Sequence, residues 1–216
     1  MASADKLKVM VDGKGGHGLA PHQGVDALLV GSAIVMNLQS IVSREFNPLD
    51  PVVVHVGKLM SGDRFNIISS SAVMEGANRT FNPDIRKQLP DVMRCIIDNT
   101  AVAYRATAKL DYNWGCPPLI NDETITEIVQ EAIKKLYGDE SLIDMPVMTG
   151  SEDFPFFAEK APGAFAFIGV GNAEKGIGWP LHHSHFDVDE SALPIGAAVH
   201  AQFALDYLTK RGNKSD

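Results

Sequence analysis

The chain has 216 residues, enough for one large or two small domains, and its 45% hydrophobic and 21% charged residues are typical of a globular protein. A formal net charge of −8 with scattered lysines and arginines argues against a nucleic-acid partner. We find no apolar run of about 18 residues, and hence expect no membrane partner. The N-terminal residues lack the apolar stretch of a signal peptide, and the two cysteines stand in unrelated contexts. We therefore expect a cytoplasmic protein.

The first half of the chain alternates between strand and helix patterns. Alternating polar and apolar residues predict strands at 6–12, 52–60, 71–79 and 107–113, and apolar residues at helical spacing predict helices at 25–42 and 83–104. The order βαββαβ predicts a ferredoxin-like sandwich with two helices on one face of an antiparallel sheet.

The pattern changes at Trp114. We predict a helix capped by Asn121 or Asp122, a strand at 164–170 and a final helix at 189–209. These elements have no repeating βαβ rhythm of their own. They indicate one half of a larger α/β domain.

Three histidines close to one another form the first candidate site. His182, His183 and His185 stand beside the acidic residues Asp187 and Asp189. Imidazole and carboxylate groups suit zinc and other divalent ions, but a histidine cluster in a loop is equally often a solvated surface. Adjacent side chains of an extended segment point in opposite directions, so His182 and His183 are not expected to bind the same ion.

Single polar residues in loops supply the other candidates. Ser151 and Asp153 follow a predicted strand-to-loop junction, where sites of α/β folds gather, although either residue could simply cap a helix. His17 stands in a glycine-rich loop that could present a donor to an anion. His17, Asn66 and Arg79 taken singly are ordinary surface residues.

Four motifs, in order along the chain, connect these candidates. They are Gly13–Gly18 with Ala20-Pro21-His22, Glu75–Phe81, Gly150–Phe154 and Leu181–Glu190. With them the chain resembles the family of co-catalytic metallopeptidases that includes aminoacylase, hippurate hydrolase and the amino-acid-conjugate (IAA-amino acid) amidohydrolases. The resemblance covers nearly the whole chain, from about Lys6 to Leu208.

The resemblance implies an α/β protein of two parts. Residues 1–113 would be the ferredoxin-like lid and dimerisation domain, and residues 114–216 the C-terminal half of a zinc-peptidase-like α/β catalytic domain. It implies a metal-dependent amidohydrolase or carboxypeptidase that cleaves N-acyl amino acid or aminoacyl amide bonds near a free carboxylate. It also implies a homodimer formed through the lid, with a small N-acyl amino acid or peptide-like molecule as substrate.

The resemblance also implies roles for single residues. His182 would bind one of two divalent ions, which could be Zn, Mn or Co. His17 would cross the dimer and donate a hydrogen bond to the oxyanion in the partner's site. Asn66 and Arg79 would grip the substrate carboxylate, and Ser151 to Asp153 would lie against the cleft.

One departure from the family pattern limits these expectations. The family's other metal ligands and its catalytic glutamate lie in an N-terminal half that this sequence does not match. A two-metal site needs several carboxylate and imidazole ligands. We therefore expect this chain alone to bind metal weakly and to be inactive. One alternative is a non-catalytic dimerising module that keeps the fold without the reaction. The other is a ferredoxin-like binding domain with an unrelated tail, which the family order of the motifs disfavours.

Overall fold

The computed structural model describes residues 1–212, with side chains as far as Lys210. The described residues form two compact units. One contains Met1–Leu119 together with Val147–Phe156, and the other contains Ile120–Pro146 and the described residues from Phe157 onward. The return of 147–156 to the first unit was not visible in the sequence. The assignment of lid and catalytic domains to residues 1–113 and 114–216 stays a prediction.

The first unit is a mixed α/β structure. Its elements are β1 (Ala4–Asp12), β2 (Gly16–His17), α1 (Ala27–Leu38), β3 (Val52–Ser61), β4 (Ile67–Ile68), β5 (Ser71–Thr80), α2 (Pro83–Ala103) and β6 (Thr107–Cys116). The four long strands form an antiparallel sheet in the order β3-β5-β1-β6, while β2 pairs with β4 in a separate two-stranded ribbon. The predicted long elements are found within a few residues of their expected bounds.

The two helices begin where polar side chains satisfy free backbone amides. The Asp26 carboxylate accepts from the Leu28 N–H at 3.0 Å, and the Asn82 side chain accepts from the Asp84 N–H at 2.9 Å. These N-caps replace intrahelical bonds that the first turn lacks. Pro83, at the first position of α2, needs no such partner.

The core of the first unit lies between the sheet and the two helices. Alternate residues of β1, namely Leu7, Val9 and Val11, are buried, as the predicted strand requires. The helices contribute apolar residues at helical spacing: Ala27, Val30, Ile34 and Leu38 from α1, and Ile85, Leu89, Met93 and Ile97 from α2. The first and last long strands also meet, because Ala4 pairs with Cys116.

A buried ion pair connects β1, α2 and β6. The Asp5 side chain is fully buried and receives two hydrogen bonds from Arg86, one from Nη2 at 2.7 Å and one from Nε at 2.9 Å. The Gly115 N–H donates to the same carboxylate at 2.9 Å, and the Tyr112 hydroxyl donates at 3.2 Å. Burial is the largest of the causes that raise the pKa of Tyr112 well above its usual range, and the neighbouring Asp5 carboxylate acts in the same direction. The tyrosine therefore stays a neutral donor.

One segment of the described chain, Ala27–Glu45, is long and apolar enough to cross a membrane, with a mean hydropathy of 1.3. It consists of α1 and a π-helical turn at Ile41–Glu45. Ile34, Leu38 and Ile41 from this segment are fully buried in the core. A core helix accounts for the same composition, so the expected absence of a membrane span stays a prediction.

The second unit is built around two helices. The remaining α-helices of the described chain are α3 (Glu123–Tyr137), α4 (Pro155–Ala158) and α5 (Ala192–Gly212), and short 3-10 turns lie at Pro21–Gln23 and Asp139–Ser141. Asp122 caps α3 through the Ile125 N–H at 2.9 Å, and Gly138 ends it with a φ of 86°. The Lys135–Asp206 pair at 2.8 Å connects α3 with α5.

The strand predicted at 164–170 is wrong, because these residues form no ladder within the described chain. The backbone there is instead held from outside any ladder: the Asn121 side chain accepts from the Phe165 N–H at 2.9 Å and donates to its carbonyl oxygen at 3.0 Å, and the Asp189 N–H donates to the Val170 carbonyl oxygen at 2.8 Å. Phe167 and Ile168 are more than 40% exposed. An apolar run signals burial, but a strand also needs a neighbour to pair with.

Candidate functional site

The ribbon of β2 and β4 brings His17 and Asn66 together. His17 pairs with Ile67, and the Gly18 N–H donates to the Asn66 carbonyl oxygen at 2.8 Å. A Cβ atom at Gly18 would lie 3.0 Å from that oxygen, so the close approach favours glycine. The two residues are 49 positions apart in the numbering and become neighbours only through this ribbon.

The His17 imidazole is exposed and is held by its own loop. Its Nδ1 accepts a hydrogen bond from the Leu19 N–H at 3.1 Å. The Leu19 side chain, by contrast, is 90% exposed. The loop is closed further by the Ala20 N–H, which donates to the His17 carbonyl oxygen at 2.8 Å.

Arg79 lies at the other end of the sheet. It pairs with Val53 near the end of β5, eight residues beyond Ser71, where the chain leaves the ribbon. At about 3.3 Å per residue this separation is roughly 26 Å. The Arg79 Nη1 is buried and has no hydrogen-bond partner among the described residues. A buried guanidinium nitrogen without a partner is costly and suits an anionic ligand.

Ser151 and Asp153 lie at the same end of the first unit as Arg79. The Ala2 N–H donates to the carbonyl oxygens of Met148 and Gly150, both at 3.1 Å, and the next residue, Ser3, donates to Thr80 at 2.8 Å. The Asp153 carbonyl oxygen accepts from the Phe156 N–H at 3.1 Å at the start of α4. The first unit therefore divides the candidate residues into two groups, His17 with Asn66 and Arg79 with Ser151 and Asp153.

In the second unit, His182 has an unusual backbone conformation. Its φ of 69° lies in the left-handed region, which residues other than glycine seldom adopt. The His183 N–H donates to the Pro180 carbonyl oxygen at 3.1 Å, which closes the turn around His182. The exposed His182 imidazole has no hydrogen bond or ring contact within the described residues. A strained residue of this kind is a candidate functional position.

The other two histidines of the cluster are engaged with an aromatic side chain. The His183 ring stacks on Trp179 with centroids 4.1 Å apart and planes 7° from parallel, and the His185 ring lies 5.7 Å from the same indole. The His183 Nδ1 also accepts from the His185 N–H at 3.1 Å. Among residues 1–212, no group of three or more His, Cys, Asp or Glu side chains could hold a metal ion. His182 is therefore at most one ligand of a larger set.

Asp189 is close to this cluster in sequence, but its carboxylate is used in contacts that stabilise the fold. It is buried, and its carboxylate binds the Lys175 ammonium at 2.8 Å and the Asn172 amide at 2.6 Å. The bond from Lys175, followed by those from Asn172 and Ser191, holds the pKa of Asp189 well below its usual value. This carboxylate ties the loop at 172–177 to the start of α5.

The lowered pKa of Asp189 predicts a pH dependence of stability. Because the folded pKa lies below the ordinary value of 3.8, Asp189 stabilises the fold above that pH, and the contribution is lost as the pH falls further. We expect Asp189→Asn to lower the urea midpoint at neutral pH and to flatten its change with pH below about 4. The control is Asp187→Asn, an exposed carboxylate that, within residues 1–212, accepts from the neighbouring Val188 N–H alone. Equal pH profiles for the two variants would refute the structural role of Asp189.

The comparisons with known proteins agree with this architecture. The sequence model of a protein family described as "Peptidase family M20/M25/M40" matches residues 7–206. The chain is 37% identical to the N-acetyl-L-cysteine deacetylase of Bacillus subtilis over 193 residues, which are 89% of this chain and 45% of that enzyme. It is 34% identical to thermostable carboxypeptidase 2 of Saccharolobus solfataricus over 211 residues, 97% of this chain and 53% of that enzyme.

A solved structure shows the same fold. The Bacillus subtilis YXEP protein, described as a dinuclear metal-binding peptidase of the M20 family, superimposes with a TM-score of 0.79 at 27% identity. The match covers 97% of this chain and 51% of that protein. The match therefore places the chain among the proteins that share the M20 peptidase fold. The chain belongs to peptidase family M20, and it spans about half the length of the curated relatives it matches.

Proposed function

We propose that the chain is the lid and the C-terminal catalytic part of a metal-dependent amidohydrolase that cleaves N-acyl amino acid or peptide-like amides near a free carboxylate. The observation that carries the proposal is the ribbon that places His17 beside Asn66. The sheet order β3-β5-β1-β6, with α1 and α2 sharing one core, supports a ferredoxin-like lid. The named activities of the deacetylase and carboxypeptidase relatives support the substrate class.

The geometry supports an active site to which two protomers contribute residues. One small substrate cannot span the length of β5 from Ser71, where the chain leaves the ribbon of His17 and Asn66, to Arg79, which is roughly 26 Å. If His17, Asn66 and Arg79 all contact one substrate, His17 and Asn66 must therefore come from a different protomer than Arg79. The His17 imidazole would donate to the oxyanion that develops at the scissile carbonyl, Asn66 would hold the substrate beside it, and Arg79 would bind the carboxylate.

A surface suited to such a homodimer lies on the first unit. On α1, Leu29, Ala33 and Met36 follow one another at helical spacing, and Leu29 and Met36 are 54% and 71% exposed. Next to the helix layer, β3 is an edge strand of the sheet. Exposed apolar faces and open strand edges are surfaces that proteins cover by association. We propose that a second copy covers them.

The described residues do not by themselves fit a two-ion site. His182, exposed and held in a closed turn, fits one imidazole ligand, but it cannot alone offset the charge of two Zn, Mn or Co ions. Ser151 and Asp153 would lie along the cleft. We therefore propose that this chain alone neither holds the ions tightly nor turns over substrate. We place the protein in the cytoplasm, where the two free cysteines would stay reduced.

A hybrid enzyme tests the proposed function. In it, the N-terminal half of the Bacillus subtilis N-acetyl-L-cysteine deacetylase precedes residues 1–216 of this chain. We expect the hybrid to hydrolyse N-acetyl-L-cysteine with added Zn²⁺, Mn²⁺ or Co²⁺, and the chain alone to show no turnover under the same conditions. His182→Ala in the hybrid should abolish the reaction.

The outcomes separate the alternatives. A hybrid that folds and dimerises without hydrolysis would favour the non-catalytic dimerising module. Turnover by the chain alone would refute the proposal that activity needs metal ligands from outside residues 1–216. The unmodified deacetylase, assayed in parallel, controls for the substrate and the metal.

A further inference from the structure

The backbone amide of Leu19 faces the ring that the proposed function uses as a hydrogen-bond donor. The Leu19 N–H points at the His17 Nδ1 over 3.1 Å. A ring nitrogen that accepts a hydrogen bond carries no proton in neutral imidazole, so the proton must be on the other nitrogen. This contact therefore selects the tautomer with the proton on Nε2.

We propose that Leu19 is a positioning residue, whose amide locks His17 in the Nε2–H tautomer and leaves that N–H free to donate. The inference rests on the proposed role of His17 as an oxyanion donor. The bond spans only two residues and is set by the turn that the Ala20 N–H closes on the His17 carbonyl oxygen at 2.8 Å. It therefore forms within the loop, without a substrate or a second protomer.

The rest of the loop keeps the donor oriented. The Gly18 N–H is used by the Asn66 carbonyl oxygen, so consecutive amides of the loop have different tasks. Gly18 fastens the backbone to β4, and Leu19 fixes the imidazole. The Leu19 side chain makes little contact at 90% exposure, so the function of this position lies in its backbone.

The same local arrangement occurs once more in the part of the chain that the structure describes, and it supplies an internal reference. The His183 Nδ1 accepts from the His185 N–H at 3.1 Å, two residues further along the chain. His183 should therefore show the same tautomer as His17. A change made at Leu19 should leave the His183 ring unaffected.

The test is nitrogen NMR of the chain labelled with ¹⁵N-histidine, at an alkaline pH where the imidazoles are neutral. The signals of His17 are assigned by their loss in His17→Gln. We expect His17 to show a protonated Nε2 and an unprotonated Nδ1 in the chain and in Leu19→Ala. In Leu19→Pro, which lacks the N–H, both tautomers should become populated. We then expect the chemical shifts of Nδ1 and Nε2 to approach each other.

Proline could disturb the turn, so a second variant isolates the N–H. Replacing Leu19 by its α-hydroxy analogue turns the amide into an ester and keeps the side chain. The amide fingerprint of β2 and β4 reports whether the ribbon stays folded, and the His183 shifts must stay constant. A single Nε2–H pattern for His17 in the folded ester variant would overturn the proposal. The readout needs no turnover, so it is independent of the hydrolase assay.

Discussion

Replacing His17 by alanine in the hybrid enzyme is expected to lower kcat for N-acetyl-L-cysteine hydrolysis by roughly 10²–10³-fold, the usual effect of removing one oxyanion donor. Substrate affinity should change much less, because the oxyanion exists only in the transition state. Steady-state kinetics measure both quantities. The expectation concerns the hybrid, since the chain alone is expected to be inactive.

The control for this variant is His22→Ala. His22 is exposed in the same loop and contacts the neighbouring Gln23 side chain, with the two nitrogens 3.3 Å apart. Its removal should leave kcat within about twofold, as expected for a surface residue away from the site. Equal effects of the two substitutions would contradict a specific role of His17.

Mixing variants tests the division of labour between protomers. His17→Ala and Arg79→Ala hybrids should each be nearly inactive. A heterodimer of the two contains one site in which His17 and Arg79 are both intact, if these residues come from different protomers. We expect activity to return in heterodimers isolated through two different affinity tags. Inactive heterodimers would place both residues in the site of a single protomer, against the separation of roughly 26 Å along β5.

Removing the Asp5 carboxylate should have the largest effect on stability. Asp5→Ala removes the fully buried carboxylate that accepts two hydrogen bonds from Arg86, whose side chain is only 14% exposed. Breaking a buried pair in this way commonly costs roughly 3–5 kcal/mol of unfolding free energy. Urea unfolding followed by the fluorescence of Trp114, which lies 5.1 Å from the Arg86 guanidinium, measures the loss in a Trp179→Phe background.

The matched control is an exposed ion pair whose two residues both lie on α2. Asp91 and Arg94 are also 2.7 Å apart, but their side chains are 82% and 51% exposed. Exposed pairs contribute about 0–1 kcal/mol, so Asp91→Ala should change little. If Asp5→Ala is as mild as Asp91→Ala, the buried pair does not stabilise the first unit.

The sequence predicts the long elements of the first unit because their periodicities are strong. The nine or ten residues of β1 and β5 show several alternations, and α2 has a long apolar face. The ribbon of β2 and β4 is missed because two-residue strands have no periodicity to detect. Yet this ribbon makes neighbours of His17 and Asn66, so the proximity of these two candidate residues could not be found from spacing.

Other features depend on contacts that no local pattern contains. Asp5 and Arg86 stand 81 positions apart, and a charged residue in a strand is usually placed at the surface. Asp189 resembled part of the histidine cluster, but the structure pairs it with Lys175. The motifs located the candidate residues, and only the fold separates Arg79 from His17.

The pairing of Ala4 with Cys116 has a consequence for the ancestry of the protein. Opposite residues of an antiparallel pair lie about 5 Å apart, so the sandwich begins and ends at nearly one point in space. A module with adjoining ends can be spliced into a surface loop of a host without pulling that loop open. For the same reason, short linkers could insert this module into an unrelated scaffold. A short linker could also connect its two ends to give a circular permutant.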